Sequence, residues 1–279
     1  MITSKTSVCC IIGNPVEHSP SPQVHNAGYK ALGLNFVFVS FRVGQLQTAI
    51  AGLGALGIRG IVVTIPHKIE VIKYVNELDD AAKAIGAVNT IVNDSGVLKG
   101  TNTDWIGGIY TIKKFLASKG ETFRGKNVAL LGAGGAARAV AYGLKKEGAI
   151  VCVFNRTIER AQTLVQMFQL EKAYELSEKE AILKADIIIN ATSLGMEPNS
   201  NTCAITEDCI RREHIVYDIV SVPKETKLLL LAQKKGARVV FGYKMLLHGA
   251  IPQFELFTGQ KAPIDVMEKA LHDALERKK

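Results

Sequence analysis

The chain has 279 residues, of which 47% are apolar, and its formal net charge is +8. This length favours two domains with buried cores that need no disulfides or metals, and the absence of any run of 18 apolar residues excludes an ordinary membrane-spanning helix. The basic residues are spread thinly along the chain, so a nucleic-acid partner is not expected, whereas small anionic ligands suit the positive charge.

The first part of the chain alternates predicted strands with predicted helices. Strands are predicted at 9–13, 35–41 and 60–65, and helices at 21–32, 44–56, 68–76 and 81–85, with Ser21 as a possible helix cap. A hairpin is predicted from 90–94 and 97–99, turning at Ser95 and Gly96. This alternation indicates an α/β domain with a mostly parallel sheet.

A second α/β series follows a predicted helix at 105–116. Its strands are predicted at 127–131, 150–155, 185–190, 215–218 and 237–240, and its helices at 136–146 and 157–168. The last segment, 244–279, is predicted to be helical because apolar residues recur there at helical spacing: Ile264, Met267, Ala270, Leu271 and Leu275. We expect this segment to pack back on the first domain.

The glycine-rich stretch after strand 127–131 is the strongest local signal. An apolar strand runs directly into Gly132, Ala133, Gly134, Gly135 and Ala136, and a helix follows. Glycines at such a turn permit a tight bend and let backbone N–H groups approach a pyrophosphate at the helix N-terminus. The sequence therefore predicts a dinucleotide-binding Rossmann domain.

The residues after the second strand of this series indicate which dinucleotide binds. NAD enzymes usually carry an acidic residue there, which accepts hydrogen bonds from the ribose 2′-hydroxyl. This chain has Asn155, Arg156 and Thr157 instead. Because an arginine accommodates a 2′-phosphate, we predict NADP as the cofactor. Alternatively, Arg156 stacks on the adenine or faces solvent.

Polar side chains follow several strand ends in the first part of the chain. In an open α/β sheet, ligands gather at the carboxyl ends of the strands. Six residues are therefore expected to converge on one small polar ligand: Ser19, Ser21, Thr64, Lys68, Asn89 and Asp104. Taken alone, Lys68 could equally be a solvated lysine and Asp104 a helix N-cap before Trp105.

These motifs, in this order, resemble the shikimate dehydrogenase family. The matching segments are HSPSPQVHN (18–26), VTIPHK (63–68), GAVNT (86–90), GTNTDW (100–105), GAGGAARA (132–139), NRT (155–157), NATSLGM (190–196), YDIVSVPKET (217–226) and GYKML (242–246). The resemblance spans nearly the whole chain. It implies NADPH-dependent, reversible reduction of 3-dehydroshikimate to shikimate, a step in chorismate and aromatic amino acid biosynthesis.

The resemblance also implies a domain division and roles for individual residues. A substrate-binding catalytic domain would comprise 1–104 plus 243–279, and an NADP-binding Rossmann domain 105–242. Lys68 and Asp104 would be catalytic, with Lys68 transferring the proton. Ser19 and Ser21 would bind the substrate carboxylate, and Thr64, Asn89 and Asp104 its hydroxyls. Further residues would lie near the cofactor: Thr192, Ser193, Ile219, Gly242 and Met245.

Three positions depart from the family pattern. Ser221 stands where a tyrosine is usual, Gly249 where a glutamine is usual, and Val62 where an asparagine is common. His248 could supply the missing donor or be an ordinary helix residue, and Gln253, one turn later, is a weaker substitute. These changes leave open whether quinate or another ring acid is the substrate.

Other classes of protein remain as alternatives. A non-catalytic nucleotide sensor on this scaffold would not need Lys68 and Asp104. Enzymes like glutamyl-tRNA reductase or methylene-folate dehydrogenase would share only the dinucleotide domain, and the former needs a reactive cysteine. Cys9 and Cys10 lie inside an apolar strand, which favours burial instead.

The remaining features concern location and assembly. Five cysteines in no metal-ligand spacing, and a start that does not resemble a signal peptide, favour a cytoplasmic protein. His18, His25 and His67 form no recognisable ligand spacing, so no metal is expected. A small-molecule substrate is the expected partner, and both a monomer and a homodimer remain open.

Overall fold

The computed structural model describes residues 2–276, and the chain divides into two compact units. The first unit combines both chain ends, Met1–Thr103 and Leu247–Lys279, and the second is the continuous segment Asp104–Leu246. No helix among the residues that the structure describes is long and apolar enough to cross a membrane.

The first unit is built on a six-stranded sheet. Its strands are β1 (Ser7–Gly13), β2 (Phe36–Arg42), β3 (Gly60–Val63), β4 (Glu77–Leu78), β5 (Thr90–Asp94) and β6 (Val97–Thr101). Its helices are α1 (Ser21–Ala31), α2 (Leu46–Ala55) and α3 (Asp80–Ile85), and α10 (Ile264–Glu276) belongs to the same unit. The helix α9 (Tyr243–Thr258) enters this unit at Leu247.

The strand order of this sheet is β2-β1-β3-β5-β6-β4. β1 pairs in parallel with β2 and β3, whereas β5 pairs antiparallel with both β3 and β6. The antiparallel pairing of β5 with β6 follows from the predicted two-residue turn, since Ser95 and Gly96 have φ values of 54° and 93° and close a hairpin. The sheet is therefore mixed but mostly parallel, as expected, since β1–β2, β1–β3 and β4–β6 are parallel pairs and only the two pairs of β5 are antiparallel. As a result, the ends of β1, β3 and β6 share one edge with the start of β5.

The core of the first unit covers both faces of this sheet. Every second residue of β1 and β3 points to the face that packs against α2; these residues are Cys10, Ile12, Ile61 and Val63. On the opposite face α10 packs on α1, where Gly28 leaves room for Met267. The last segment therefore packs back on the first unit, as expected. The buried residues of α10 are Met267, Leu271, Ala274 and Leu275, whereas Ile264 is exposed.

The second unit is an α/β fold with an entirely parallel sheet. Its strands are β7 (Asn127–Leu131), β8 (Ile150–Asn155), β9 (Lys172–Glu175), β10 (Ile187–Asn190), β11 (Ile215–Asp218) and β12 (Arg238–Phe241). Its helices are α4 (Asp104–Ala117), α5 (Gly135–Lys146), α6 (Ile158–Phe168), α7 (Lys179–Leu183) and α8 (Lys227–Lys234). The strand order β12-β11-β10-β7-β8-β9 is the doubly wound Rossmann order, with its switch point between β7 and β10.

Several predicted elements need correction. The expected helix at 68–76 is only a 3₁₀ segment, Glu70–Tyr74, because the carbonyl of Lys68 accepts a hydrogen bond from the N–H of Val88 (2.8 Å) instead of continuing a helix. The segment 244–279 is helical as expected and forms two helices, which are separated by a break that begins at Gly259, where φ is 69°; its last residues, 277–279, lie outside the described part. β4, β9, α7 and α8 were not predicted.

Candidate active site

The predicted substrate residues of the first unit lie along one edge of its sheet. Backbone hydrogen bonds join the segments that carry them. The N–H of Thr64 donates to the carbonyl oxygen of Ile12 (2.9 Å), and the N–H of Val63 donates to the backbone carbonyl oxygen of Asn89 (2.7 Å). The carbonyl of Lys68 accepts from Val88, the residue before Asn89. The ends of β1 and β3 and the start of β5 are therefore held in fixed register, together with the segments that follow them.

Ser19 and Ser21 are adjacent in space at the start of α1. The hydroxyl of Ser19 donates to that of Ser21 (3.0 Å), and the N–H of Ser21 donates back to the Ser19 hydroxyl (3.3 Å). Ser21 is the first residue of α1 after Pro20, and no described side chain caps this helix, so the expected capping role of Ser21 is wrong. Two hydroxyls beside a helix N-terminus form a suitable binding site for a carboxylate.

The segment from Thr64 to Lys68 is anchored by its own backbone and by His67. The N–H of His67 donates to the carbonyl of Thr64 (3.0 Å), and its Nε2 lies 2.9 Å from the carbonyl oxygen of Val43. His67 is buried, whereas Thr64 and Lys68 are half-buried at the sheet edge. The contact of His67 with Val43 therefore fixes the position of the segment from Thr64 to Lys68, and His67 itself has a structural role.

Asn89 is the centre of a buried hydrogen-bond cluster at this edge. Its Oδ1 accepts from the backbone N–H of Thr103 (2.7 Å) and from the hydroxyl of Thr90 (2.9 Å). Its Nδ2 donates to the hydroxyl of Thr103 (3.0 Å). Thr103 directly precedes Asp104, which is the first residue of α4 rather than the cap before it. The cluster ties the start of β5 to the chain that leaves β6.

Gln253, expected from the sequence to be only a weaker substitute donor, completes this cluster. Its Nε2 donates to the hydroxyls of Thr90 and Thr103, both at 3.1 Å, and the residue is only 6% exposed. Gly249, one turn earlier on α9, faces the same place, since a Cβ built on it would lie 3.8 Å from the Thr103 carbonyl oxygen. His248 is half-buried on α9, and Val62 is buried in β3.

His25 lies behind Gln253 in the apolar core of the first unit. Its ring is fully buried and lies near Phe38, Phe254 and Phe257. Burial lowers the pKa of His25 to about 4, and the nearby Gln253 amide opposes that shift. His25 is therefore neutral near pH 7 and carries no positive charge towards a ligand.

The glycine turn of the second unit has the geometry that a pyrophosphate requires. Gly132 has a φ of 108°, and a Cβ on it would lie 3.0 Å from the carbonyl oxygen of Ala191. Gly134, the N-cap of α5, has nothing within 4 Å of such a Cβ. Among the described residues no side chain caps this 12-residue helix, and its first turn has no acidic residue. These features fit a bound phosphate group.

The segment after β8 presents polar groups to solvent. The amide of Asn155 donates to the carbonyl of Thr157 (2.9 Å), which stabilises the turn before α6. Arg156 and Thr157 are exposed. An exposed guanidinium beside a nucleotide turn can pair with a 2′-phosphate in two parallel hydrogen bonds.

A second buried cluster lies at the ends of β10 and β11. Asp218 accepts from the hydroxyl of Thr226 (2.6 Å), from the amide of Asn190 (2.9 Å) and from the N–H of Val220 (3.0 Å). Burial raises the pKa of Asp218 to about 6, and these hydrogen bonds oppose the shift. Asn190 also accepts from the hydroxyl of Thr192 (2.7 Å), so the cluster fixes the loop after β10.

The other predicted cofactor residues lie in the same unit as this second cluster. Gly242 is required by packing, because a Cβ there would lie 2.3 Å from the carbonyl oxygen of Val220. Met245 is buried beside Gly108, Ile219 is half-buried and Ser193 is exposed. Ser221 donates to the carbonyl of Gly242 at 3.4 Å.

The structure thus groups the predicted residues within each unit. The first unit holds Ser19, Ser21, Thr64, Lys68, Asn89 and His248, and the second holds Asp104 and the predicted cofactor residues from Gly132 to Met245. Among residues 2–276, no group of three or more His, Cys, Asp or Glu residues is placed to hold a metal ion.

Family models match three segments of the chain. The model described as the shikimate dehydrogenase substrate binding domain matches residues 11–91. The model for shikimate / quinate 5-dehydrogenase matches 114–228, and the model for the shikimate 5′-dehydrogenase C-terminal domain matches 242–272.

Individual proteins are similar over the full length. The chain is 43% identical to the shikimate dehydrogenase (NADP(+)) of Methanobrevibacter smithii, over 99% of this chain and 100% of the relative. A crystal structure of shikimate dehydrogenase in complex with NADP+ is 40% identical, with a TM-score of 0.90 and coverage of 99% and 98%. The shikimate dehydrogenase structure from Aquifex aeolicus is 41% identical, with a TM-score of 0.90 and coverage of 98% and 100%. The similarity therefore extends over both units.

Proposed function

The chain belongs to the shikimate dehydrogenase family, and on that premise we propose that it catalyses the NADPH-dependent, reversible reduction of 3-dehydroshikimate to shikimate. It is an NADP-dependent oxidoreductase acting on a CH–OH group, and its place is in chorismate and aromatic amino acid biosynthesis. The observation that carries the proposal is the joined sheet edge of the first unit, where the Thr64–Lys68 segment and the Asn89 cluster are held in register.

When bound, NADPH supplies the hydride that reduces a ketone carbon. In our proposal, backbone N–H groups from Gly132 to Ala136 bind its pyrophosphate at the N-terminus of α5. The 2′-phosphate is bound by Asn155, Arg156 and Thr157, and the guanidinium of Arg156 supplies the positive charge. The rest of the cofactor site is lined by Thr192, Ser193, Ile219, Gly242 and Met245. On these assignments residues 105–242, which lie within the second unit, form the NADP domain.

Proton transfer is assigned to Lys68 and Asp104. As the ketone is reduced, its oxygen gains negative charge and must take up a proton. Lys68 donates that proton and takes it back in the reverse reaction, while Asp104 orients the lysine and a ring hydroxyl. A positioned acid–base group of this kind contributes roughly 10²–10⁴ to a rate.

Substrate binding is assigned to the same sheet edge. Ser19 and Ser21 bind the ring carboxylate, and Thr64, Asn89 and Asp104 bind hydroxyl groups. His248 lies on α9, half-buried, and is assigned to the substrate site as well. A site built from such groups rejects analogues that lack a hydroxyl, because its own polar atoms would then be left unpaired. These assignments make 1–104 plus 243–279 the substrate domain.

A second candidate substrate is quinate. Gly249 puts no side chain beside Thr103, where a Cβ would meet only ordinary contacts at 3.8–4.0 Å. This space suits a ring acid that is bulkier than shikimate or has a different substituent.

One assay separates these possibilities. The protein is incubated with shikimate and with quinate, each with NADP+ and with NAD+, and the absorbance of the reduced nicotinamide is followed. Turnover of shikimate with NADP+ is the expected result. Preferred turnover of quinate would favour the second candidate. Tight binding of NADP+ without turnover of either acid would contradict both and favour a nucleotide sensor.

We further propose that the protein acts in the cytoplasm as a monomer or a homodimer. The five cysteines are odd in number and none of them forms a disulfide in the described residues, which supports a reducing compartment. Light scattering on the purified protein measures the mass directly, against 30.2 kDa for one chain.

A further inference from the structure

The orientation of the Asn89 amide follows from one backbone group. The N–H of Thr103 can only donate, so the atom 2.7 Å from it must be the Oδ1 of Asn89 and not its amide nitrogen. The hydroxyl of Thr90 lies 2.9 Å from the same Oδ1 and 3.3 Å from the hydroxyl of Thr103, so the shorter contact takes its only proton to Asn89. The oxygen of Thr90 is consequently left to act as an acceptor.

Gln253 supplies the donor that this arrangement needs. Its amide nitrogen lies 3.1 Å from the hydroxyl oxygens of both Thr90 and Thr103 and has one hydrogen for each. A carbonyl oxygen in that place would compete with Asn89 Oδ1 for the Thr90 proton. The amide therefore directs that proton towards Asn89.

The location of Gln253 keeps its amide in place. The residue is buried on α9 next to Phe254, which is fully buried, and its side chain lies beside the buried ring of His25. Side chains in such surroundings have little rotamer freedom. Gln253 thus links the apolar core to the sheet edge at which substrate binding is proposed.

We propose that Gln253 is a positioning residue for substrate binding, which acts by holding the Asn89 amide in one orientation through Thr90 and Thr103. The inference rests on the proposed function, because Asn89 is assigned there to a substrate hydroxyl. Gln253 itself needs no contact with the substrate. A purely structural Gln253 would contribute to stability alone, so the test must separate binding from stability.

The test is a double-mutant cycle on the full-length protein. Gln253→Met keeps the volume of the side chain and removes its donors, and Asn89→Ala removes the group that Gln253 orients. Steady-state constants for shikimate and NADP+ and the thermal midpoint are measured for the wild type, both single variants and the double variant. Gln253→Leu replaces Gln253→Met if the latter does not fold.

The matched control is Asn93→Ala. Asn93 is a buried amide on the same strand as Thr90, donates to Gly54 (3.3 Å) and accepts from Gly96 (2.8 Å). It lies near the opposite end of β5, so its loss should lower the thermal midpoint without changing the KM for shikimate.

The expected result is an increase of about tenfold in the KM for shikimate in Gln253→Met, from lost hydrogen bonds, with kcat and the KM for NADP+ within about twofold. In the Asn89→Ala background the same substitution should change the KM for shikimate by less than about twofold. An unchanged KM in the single variant, or an equal increase in both backgrounds, would overturn the inference alone. A folded wild type that does not oxidise shikimate would overturn the proposed function, and the inference with it.

Discussion

The imidazole of His25 stacks on the ring of Phe38, with centroids 4.3 Å apart and planes only 8° from parallel. Within the described chain, neither ring nitrogen of His25 has a hydrogen-bond partner of normal geometry. An unpaired polar group at such a position is costly, and a charged one would be more so. This explains why burial is the main cause of the low pKa of His25.

The first prediction concerns stability in acid. The pKa of His25 is about 4 in the folded protein against 6.5 in an ordinary histidine, so the unfolded chain binds more protons between these values. The contribution of neutral His25 to the free energy of unfolding is therefore fully present above pH 6.5. It falls by about 3 kcal/mol as the pH drops towards 4. Urea unfolding at pH 7 and at pH 4.5 should show a smaller loss in His25→Phe than in the wild type. Equal losses would mean that folding does not change the affinity of His25 for protons.

The second prediction has the opposite sign. The pKa of Asp218 is raised to about 6 from 3.8, so the folded protein binds the extra proton and stability falls as the pH rises from about 4 to 6. Asn190 and Val220 both donate to Oδ1, and Thr226 alone donates to Oδ2. Asp218→Asn keeps the acceptor for the first two and can donate to a rotated Thr226 hydroxyl.

We therefore expect Asp218→Asn to unfold with a free energy about 2–3 kcal/mol higher than the wild type at pH 8, and with nearly the same value at pH 3.5. Chemical denaturation at the two pH values provides the measurement. A variant that is less stable than the wild type at pH 8 would show that the ionised carboxylate stabilises this cluster.

Local motifs explain why much of this fold could be predicted from the sequence. The glycine turn needs only its own residues and their neighbours, since the positive φ of Gly132 and the uncapped start of α5 are local properties. The hairpin could also be predicted from a local pair of residues, Ser95 and Gly96. The turn explains why β5 and β6 are antiparallel, but it does not set the direction of β5 relative to β3, which depends on the longer connection through residues 64–89.

Long-range contacts explain what the sequence did not show. The partners of Gln253 are 163 and 150 residues away in the chain, so no spacing rule connects them. The helix predicted from Lys68 was wrong because its carbonyl pairs with distant Val88. In both cases tertiary hydrogen bonds decided the outcome over local propensity.

The third prediction separates folding from cofactor binding at the glycine turn. Gly134 has a φ of −82° and open space around a built Cβ, so Gly134→Ala should fold normally. Its methyl group would nevertheless hinder the close approach of a pyrophosphate. We expect a rise of about tenfold or more in the Kd for NADP+ with an unchanged thermal midpoint.

Gly132→Ala is the comparison, because its φ of 108° and the contact with Ala191 make any side chain strained. It should lower the thermal midpoint as well as the affinity for NADP+. Equal thermal midpoints in the two variants would contradict the assignment of strain to Gly132, and normal NADP+ binding by Gly134→Ala would contradict the proposed pyrophosphate site.

The fourth prediction concerns the choice between NADP and NAD. Removing the exposed guanidinium by Arg156→Gln should lower kcat/KM with NADP+ by about 10- to 100-fold, the loss of a charge-assisted pair, and leave NAD+ nearly unaffected. Arg212→Gln, an exposed arginine of the same unit, makes the same change in charge and should leave both constants unchanged. If both variants lowered the NADP+ constant alike, the preference would arise from general charge and not from Arg156.

The fifth prediction tests the proton-transferring role of Lys68. Lys68→Met keeps most of the side-chain volume and removes the ammonium group, so kcat for shikimate oxidation should fall by about 10²–10⁴. Affinity for NADP+ and the thermal midpoint should stay close to wild type, since the backbone carbonyl of Lys68 that pairs with Val88 is retained. Lys73→Met, an exposed lysine of the following 3₁₀ segment, is the matched control and should keep normal turnover. Near-normal kcat in Lys68→Met would remove Lys68 from the chemistry, and the proton would then have to come from another group such as Asp104.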